Sequence, residues 1–287
     1  MSATRRSRQA QRVALVTGST DGLGRAVARS LAVSGFRVWI HGRDAQRGED
    51  LVREISAHGG SARFHRADFA SLAEVRALAD AVRREHDSLH LLINNAGIGT
   101  GDGGRPAPRQ ASVDGHELRF AVNYLAGYLL TRLLLPLLVR GAPARIVNIA
   151  SAGQYPLDFD NLMLTRAYSG MRAYAQSKLA QIMLTLDLAA QLRDSGVTVN
   201  CLHPATYMDT TMVRSAGVAP TSTVAEGAAA VTRLAVSREL EGSTGEYFDG
   251  LRPGRANAQA YDAAARRRLA DVSARLTGSG QASGLTS

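Results

Sequence analysis

The chain has 287 residues, of which 45% are hydrophobic and 21% charged, proportions of a folded globular protein that exclude general disorder. A formal net charge of +9 raises nucleic-acid binding. However, the arginines are interleaved with acids over helix faces such as 75–85 and 263–275, without basic–aromatic stripes, so no nucleic-acid partner is expected. The lone Cys201 excludes an internal disulfide framework and a cysteine zinc site, and suits a reducing cytoplasm, the expected location.

Residues 1–11 read as a basic, disordered tail with no apolar stretch behind it that would make a secretory signal. Short aliphatic runs then predict strands at 13–18, 37–42, 62–68, 89–97, 144–151, 197–204 and 245–250. Between them, helical patterns lie at 22–34, 44–57, 72–86, 112–139, 170–194 and 224–236, with a last helix over 258–276. The alternation predicts the α/β class: one doubly wound, mainly parallel sheet of about seven strands, with helices on both faces, in a single domain over 12–276. The Gly/Pro-rich stretch 99–110 reads as a surface loop near the carboxyl ends of the strands, and 277–287 as a disordered tail. The apolar run 121–139 is interrupted by Asn123, Arg132 and Pro136, and reads as a buried helix, not a membrane span.

Strand one leads into Thr17-Gly18-Ser19-Thr20-Asp21-Gly22-Leu23-Gly24. Glycines at this spacing permit a tight turn and let a pyrophosphate approach the backbone at a helix N-terminus, which predicts dinucleotide binding. About twenty residues on, where an acid would hold the ribose hydroxyls of NAD, stands Gly42, followed by Arg43. A guanidinium suits a 2′-phosphate, so NADPH is expected over NADH. The other reading makes Arg43 a solvated turn residue and Asp44 a helix N-cap, which leaves the choice of cofactor open. No His/Asp/Glu cluster suggests a metal.

Tyr174 and Lys178 lie four apart in a helical stretch and share a face. A nearby ammonium favours a phenolate and would draw the tyrosine toward neutral pH. Lys178 is the single lysine among 34 basic residues, and a forked guanidinium would not replace its compact charge. Tyr168 is set aside because Arg172 stands four residues on, Tyr155 because it lacks a helical lysine. His203 reads as a strand-end residue and Cys201 as a small core residue.

Together, the glycine turn, Asn94-Asn95-Ala96-Gly97, Asn123 in a long helix, Ser151 closing strand five and Tyr174-x-x-x-Lys178 resemble a short-chain dehydrogenase/reductase over about 12–250. The resemblance implies a Rossmann-type domain and carbonyl/alcohol redox chemistry. It makes Tyr174 the general acid/base, Lys178 the residue that lowers the tyrosine pKa and holds the nicotinamide ribose, Ser151 the hydroxyl on the substrate oxygen, and Asn123 the anchor of a water relay. It assigns cofactor contacts to Gly18, Ser19, Asp21, Gly22, Leu23, Gly24 and Arg43, to Asp68 and Phe69 at the adenine, and to Asn95, Ala96 and Gly97 under the adenosine. Tyr174, Lys178 and the segment Pro204, Ala205 and Thr206 complete that set beside the nicotinamide.

Ala205 stands where the family has glycine, and the segment between Ser151 and Tyr174 is longer than usual. That length, with the SxDGxE pattern at 112–117 and the run 176–185, resembles the retinol-dehydrogenase-like and protochlorophyllide-reductase-like branch. This implies NADPH and a lipophilic carbonyl or alcohol as the small-molecule substrate. Ser151, Tyr155, Tyr174 and Tyr207 are expected in the substrate pocket, with Leu157, Phe159, Met163, Met208 and Met212 in the stretches that shape it. The resemblance also implies a homodimer or homotetramer pairing through 112–139 and 170–194. The expected function is hydride transfer between nicotinamide and a ketone or secondary alcohol. The rivals are an NADP(H) sensor or scaffold without turnover, and an epimerase with no net redox change.

Overall fold

The computed structural model of the protein describes residues 11–101 and 108–279. The basic run before residue 11, part of the 99–110 stretch and the end of the chain after 279 lie outside the described residues. Strands β1 (Val13–Val16) and β4 (Leu91–Asn94) are buried at every position. Their unbroken apolar runs reflect a sheet covered on both faces. β2 (Arg37–Gly42), β3 (Ser61–Arg66), β5 (Ala144–Ile149), β6 (Val197–His203) and β7 (Tyr247–Asp249) occupy the other expected positions.

The strand order is β3-β2-β1-β4-β5-β6-β7-β8, where β8 (Arg252–Pro253) is a two-residue antiparallel edge strand that the sequence did not suggest. All other pairs are parallel. The chain builds outward from β1 to β3, then returns to the far side of β1 at β4. That reversal leaves a crevice at the carboxyl ends, where such sheets bind ligands.

One apolar layer packs the sheet against α1 (Gly22–Val33), α2 (Ala45–Ala57) and α7 (Val224–Val236). The opposite layer packs it against α3 (Leu72–Glu85), α4 (Leu118–Arg140) and α5 (Gly170–Gln191). Leu15 and Leu92 are fully buried there, and truncating either to alanine costs about 2–5 kcal/mol.

The helix expected from 112 begins at Leu118 instead. Gly115 takes φ +82 in the preceding turn, which a helix does not accommodate, and Glu117 caps the helix by accepting from the Phe120 N–H at 2.7 Å. By length and composition α4 could cross a bilayer, yet 72% of its apolar window is buried inside the fold, as befits a core helix.

α5 is buried on nearly every side, because α8 (Ala263–Thr277) lies across α4 and α5. Arg266 pairs with Asp187 at 2.7 Å and Tyr124 Oη meets Ser273 Oγ at 2.7 Å, while Leu269 fills the seam. α8 thus takes up part of the face through which the resemblance pairs subunits.

Candidate active site

Gly18 follows β1, Asn95 follows β4, Ser151 follows β5 and Pro204 follows β6, so the crevice collects the motif residues from separate parts of the chain. Gly18 takes φ +61, and a Cβ on it would lie 2.7 Å from Ala96 Cα. A Cβ on Gly24 would run into the Gly18 carbonyl. Thr17 Oγ1 accepts from the N–H groups of Asn95 (2.9 Å) and Ala96 (3.0 Å), and Asn95 Nδ2 donates to the carbonyls of Thr17 and Gly18, each at 2.9 Å. The turn is therefore stitched to the end of β4.

Ser19 is buried and donates to the Val16 carbonyl at 2.7 Å, and Leu23 lies in the core. Asp21 caps α1 by accepting from Gly22 N–H at 2.8 Å, and also accepts from Thr211 Oγ1 at 2.7 Å and Arg47 at 3.1 Å. Burial pushes its carboxyl pKa up, but the bonds from Thr211, Gly22 and Arg47 outweigh that and hold it below the ordinary value. Thr211 opens the short helix α6 (Thr211–Ser215), so Asp21 ties the glycine turn to the far wall of the crevice. What this turn offers a phosphate is its backbone and the α1 N-terminus, kept open by glycines, and it fits a dinucleotide.

A Cβ on Gly42 would meet Thr20 Oγ1 at 2.6 Å, so a carboxylate at that position would have to displace the Thr20 side chain. Arg43 is 69% exposed at its side chain and 4.0 Å from Asp68, while Asp44 caps α2 by accepting from Arg47 N–H at 3.0 Å. Both features of the alternative reading are thus present: Asp44 caps the helix and Arg43 is exposed. Asp68 turns its Oδ1 to the Ala70 N–H at 2.9 Å. Phe69 departs from expectation: its ring is 4% exposed and stacked at 4.1 Å on His41, so only its backbone is available to an adenine.

On α5, Ser169 caps the helix and Tyr174 and Lys178 follow one turn apart. Burial pushes the Tyr174 phenol up, with a hydrogen bond from Ser151 opposing. Burial also pushes Lys178 down to about 7. Its Nζ donates to the Ile149 carbonyl at 2.8 Å and Gln181 Oε1 at 3.0 Å, and stands 5.7 Å from the Tyr174 ring centroid. Desolvation, more than the ammonium, sets both values here. Two of the three Lys178 donors are thus engaged within the protein.

Asn123 lies in a π-turn at Ala121–Leu125 within α4, a distortion often found at functional sites. It clamps both backbone groups of Ile98, at 2.8 and 3.1 Å, and donates to Ser177 Oγ at 3.0 Å. A Cβ on Gly97 would lie 3.3 Å from Asn123 Oδ1 and 3.6 Å from Lys178 Nζ. Glycine there keeps the space between those two side chains open.

The long segment before α5 is anchored by its own apolar residues. Leu157 is buried and Phe159 and Met163 pack against the core, so these three serve as anchors where pocket walls were expected. Met208 likewise packs against the other core layer. Tyr155, under Arg172, and Tyr207, at φ +45, remain about half exposed. Met212 lies against Gly99, and Gly170 against the Thr100 carbonyl. Tyr168 is held by Arg119 at 2.6 Å and by the fully buried Glu117 at 3.1 Å, and burial and that carboxylate push its phenol up to about 12. It braces the segment. His203 turns to Thr206 Oγ1 at 3.0 Å beside Pro204 and Ala205, and Cys201 is buried.

Thr17, Ser177, Gln181 and His41 were not singled out from the sequence. The first three lie inside or beside the motifs. His41 carried a signal of its own, a histidine directly after the apolar run Val38-Trp39-Ile40 of β2.

A doubly wound sheet with a glycine turn at its reversal and a Ser–Tyr–Lys group beside it, its serine and lysine buried, defines a nicotinamide-binding oxidoreductase. The family model described as short chain dehydrogenase matches residues 12–219, and the chain belongs to that family. It is 36% identical over 280 residues to retinol dehydrogenase 11 of Mus musculus, covering 93% of this chain and 86% of the relative. It is 39% identical over 293 residues to polyprenol dehydrogenase of the same species, covering 95% and 85%. Among solved structures, an uncharacterised protein from Mycobacterium paratuberculosis superposes with TM-score 0.75 at 29% identity, covering 93% of this chain and 94% of that one. A short chain dehydrogenase from Burkholderia cenocepacia in complex with NADP gives 0.67 at 30% identity, covering 83% and 95%.

Proposed function

We propose that this protein is an NADP-dependent dehydrogenase that interconverts the alcohol and carbonyl forms of a long, apolar molecule. The observation that carries the reading is the convergence of Ser151, Tyr174 and the buried Lys178 beside the glycine turn. A bound nicotinamide dinucleotide supplies the hydride in reduction and takes it up in oxidation. Gly18, Gly22 and Gly24, lacking side chains, would let its pyrophosphate come up against the turn and the N-terminus of α1, and Asn95 to Gly97 would lie under the adenosine. The closure of position 42 by Thr20 and the exposed Arg43 favour a 2′-phosphate, as do the NADP complexes among related structures.

In reduction, Tyr174 Oη donates its proton to the carbonyl oxygen while Ser151 Oγ donates a hydrogen bond to the same atom, opposing the charge that develops there. Lys178 would have its remaining donor for the ribose, and its charge would stabilise the phenolate that Tyr174 becomes. With both its N–H groups spent on Ile98 and Ser177, Asn123 would keep an Oδ1 lone pair for a relay water that returns the proton to Tyr174. In oxidation, the same groups run in reverse, with Tyr174 as base.

An apolar substrate suits the relatives named for retinol and polyprenol and the half-exposed Tyr155, Tyr207 and Met212. The test is single-turnover hydride transfer from NADPH to a long-chain apolar ketone. Tyr174→Phe is expected to slow it by at least about 10³-fold with NADPH affinity intact, and transfer at the wild-type rate overturns the role. NADPH binding without oxidation across a broad carbonyl panel supports a sensor instead, and interconversion without net cofactor consumption supports an epimerase.

A further inference from the structure

His41 is 2% exposed at the end of β2 and touches neither Ser151, Tyr174 nor Lys178 in any described bond. Its backbone exchanges two bonds with Ser19, whose N–H donates to the His41 carbonyl at 2.8 Å and whose Oγ accepts from the His41 N–H at 3.1 Å. Its ring nitrogens are both engaged, Nδ1 with the Gly18 N–H at 3.1 Å and Nε2 with the Ala67 carbonyl at 3.1 Å.

A backbone N–H can only donate, so Nδ1 must be bare, and the proton lies on Nε2, donating to Ala67. The neutral ring stacks on Phe69 at 4.1 Å and 23°. One imidazole thereby joins the glycine turn after β1, the end of β2 and the turn after β3. Gly18 is held from both sides, its N–H by His41 and its carbonyl by Asn95.

We propose that His41 is a positioning residue for the dinucleotide: as an Nε2–H imidazole it sets the Gly18 peptide and the Ala67–Phe69 turn, and so determines affinity for the adenosine-diphosphate part of the cofactor without touching it. The proposal rests on the cofactor reading above. The charged state would bring a donor against the Gly18 donor. Burial holds the ring down at about 4, with His65 on β3 opposing its charge and Asp68 favouring it. The ring therefore stays neutral through the physiological range, and the contact is a permanent clamp, not a pH switch.

The test compares His41→Leu, which loses both ring bonds, with His41→Asn, whose Oδ1 can still accept from Gly18. NADP⁺ affinity is measured by calorimetry, and kcat and KM by steady-state oxidation of an apolar alcohol. His41→Leu is expected to weaken NADP⁺ binding by about tenfold, the scale of one buried hydrogen bond, with kcat at saturating cofactor within about twofold. His41→Asn should recover most of the affinity. Nitrogen NMR of the wild-type imidazole should give a bare Nδ1 and a protonated Nε2 unchanged down to pH about 5, a readout that stands even where a variant does not fold.

NADP⁺ binding by folded His41→Leu equal to wild type overturns the proposal, as does a parallel fall in kcat that His41→Asn does not recover. An Nδ1–H tautomer overturns it too. Wild-type protein that binds neither NADP⁺ nor NAD⁺ overturns the cofactor reading and this proposal together. Wild-type binding matched by His41→Leu overturns this proposal alone.

Discussion

The two sides of the crevice are built by opposite means. On the cofactor side, short turns after β1, β3 and β4 are pinned by hydrogen bonds from Thr17, Asn95 and His41, and a Cβ on Gly18, Gly24 or Gly42 would collide with a neighbour. On the substrate side, the segment before α5 and the one after β6 carry non-glycine residues at positive φ, namely Leu164, Ala167 and Tyr207. They also expose Tyr155, Tyr207 and Met212. A ligand shared by a whole family can be met by a close-fitting, fully bonded surface, whereas a ligand particular to one member is met by longer loops anchored at a few points, such as Leu157 and Tyr168. α5 lies between the two regimes and brings Tyr174 and Lys178 to both.

Substitution at the junction should have the largest effect. Lys178→Arg keeps the charge but cannot place a fork between the Ile149 carbonyl and Gln181, so kcat should fall by about 10²-fold or more. Steady-state rates near wild type would make the lone lysine dispensable. Lys178→Met should be equally inactive yet more stable by ~1 kcal/mol, because it removes a cation from a buried position; thermal unfolding measures this.

On the cofactor side, stability should depend on His41. Its folded pKa of about 4 lies below the unfolded value near 6.5, so below 6.5 the unfolded chain takes up a proton that the folded one refuses. The contribution is complete above pH about 6.5 and is lost progressively as pH falls to about 4, amounting to roughly 3 kcal/mol at most. Denaturant titrations of wild type and His41→Asn should differ in slope over that window alone.

A smaller change, Gly42→Ala, should raise the KM for NADPH by about tenfold through contact with Thr20, with kcat unchanged, and a companion Thr20→Ala should restore it. The smallest effect belongs to the loops. Tyr207→Ala should raise the KM for a long apolar substrate by only about two- to fivefold, leaving NADPH affinity alone. A loss of cofactor binding in that variant would blur the division between the two sides.

Much of this division could be read from the residues. Seven strands follow aliphatic runs long enough to declare themselves, and the glycine turn, Ser151 and the Tyr174–Lys178 pair are short motifs whose spacing carries their geometry. β8 was invisible because two residues of edge strand leave no periodic pattern. The start of α4 was misplaced because apolar periodicity does not register a turn held by Gly115 at positive φ. Phe69, expected at the adenine, and Leu157, Phe159 and Met163, expected in the stretches that shape the pocket, turn to the core instead, because an aromatic or aliphatic residue in a loop looks the same in sequence whether it faces a ligand or the core. The direction is settled by tertiary packing, as His41 against Phe69 illustrates. The direction of the Tyr174 shift, up by burial where spacing suggests down, differs for a related reason: spacing along a helix gives proximity but not depth of burial.

The most direct test of the central claim is the set of specificity constants of the wild-type enzyme for NADPH and NADH, each measured with a short and a long apolar ketone. The preference for NADPH should be the same with both ketones, and the KM for ketone should fall as the chain lengthens with either cofactor. Equal use of NADH, or a cofactor preference that shifts with chain length, would contradict a fixed cofactor side facing an adaptable substrate side.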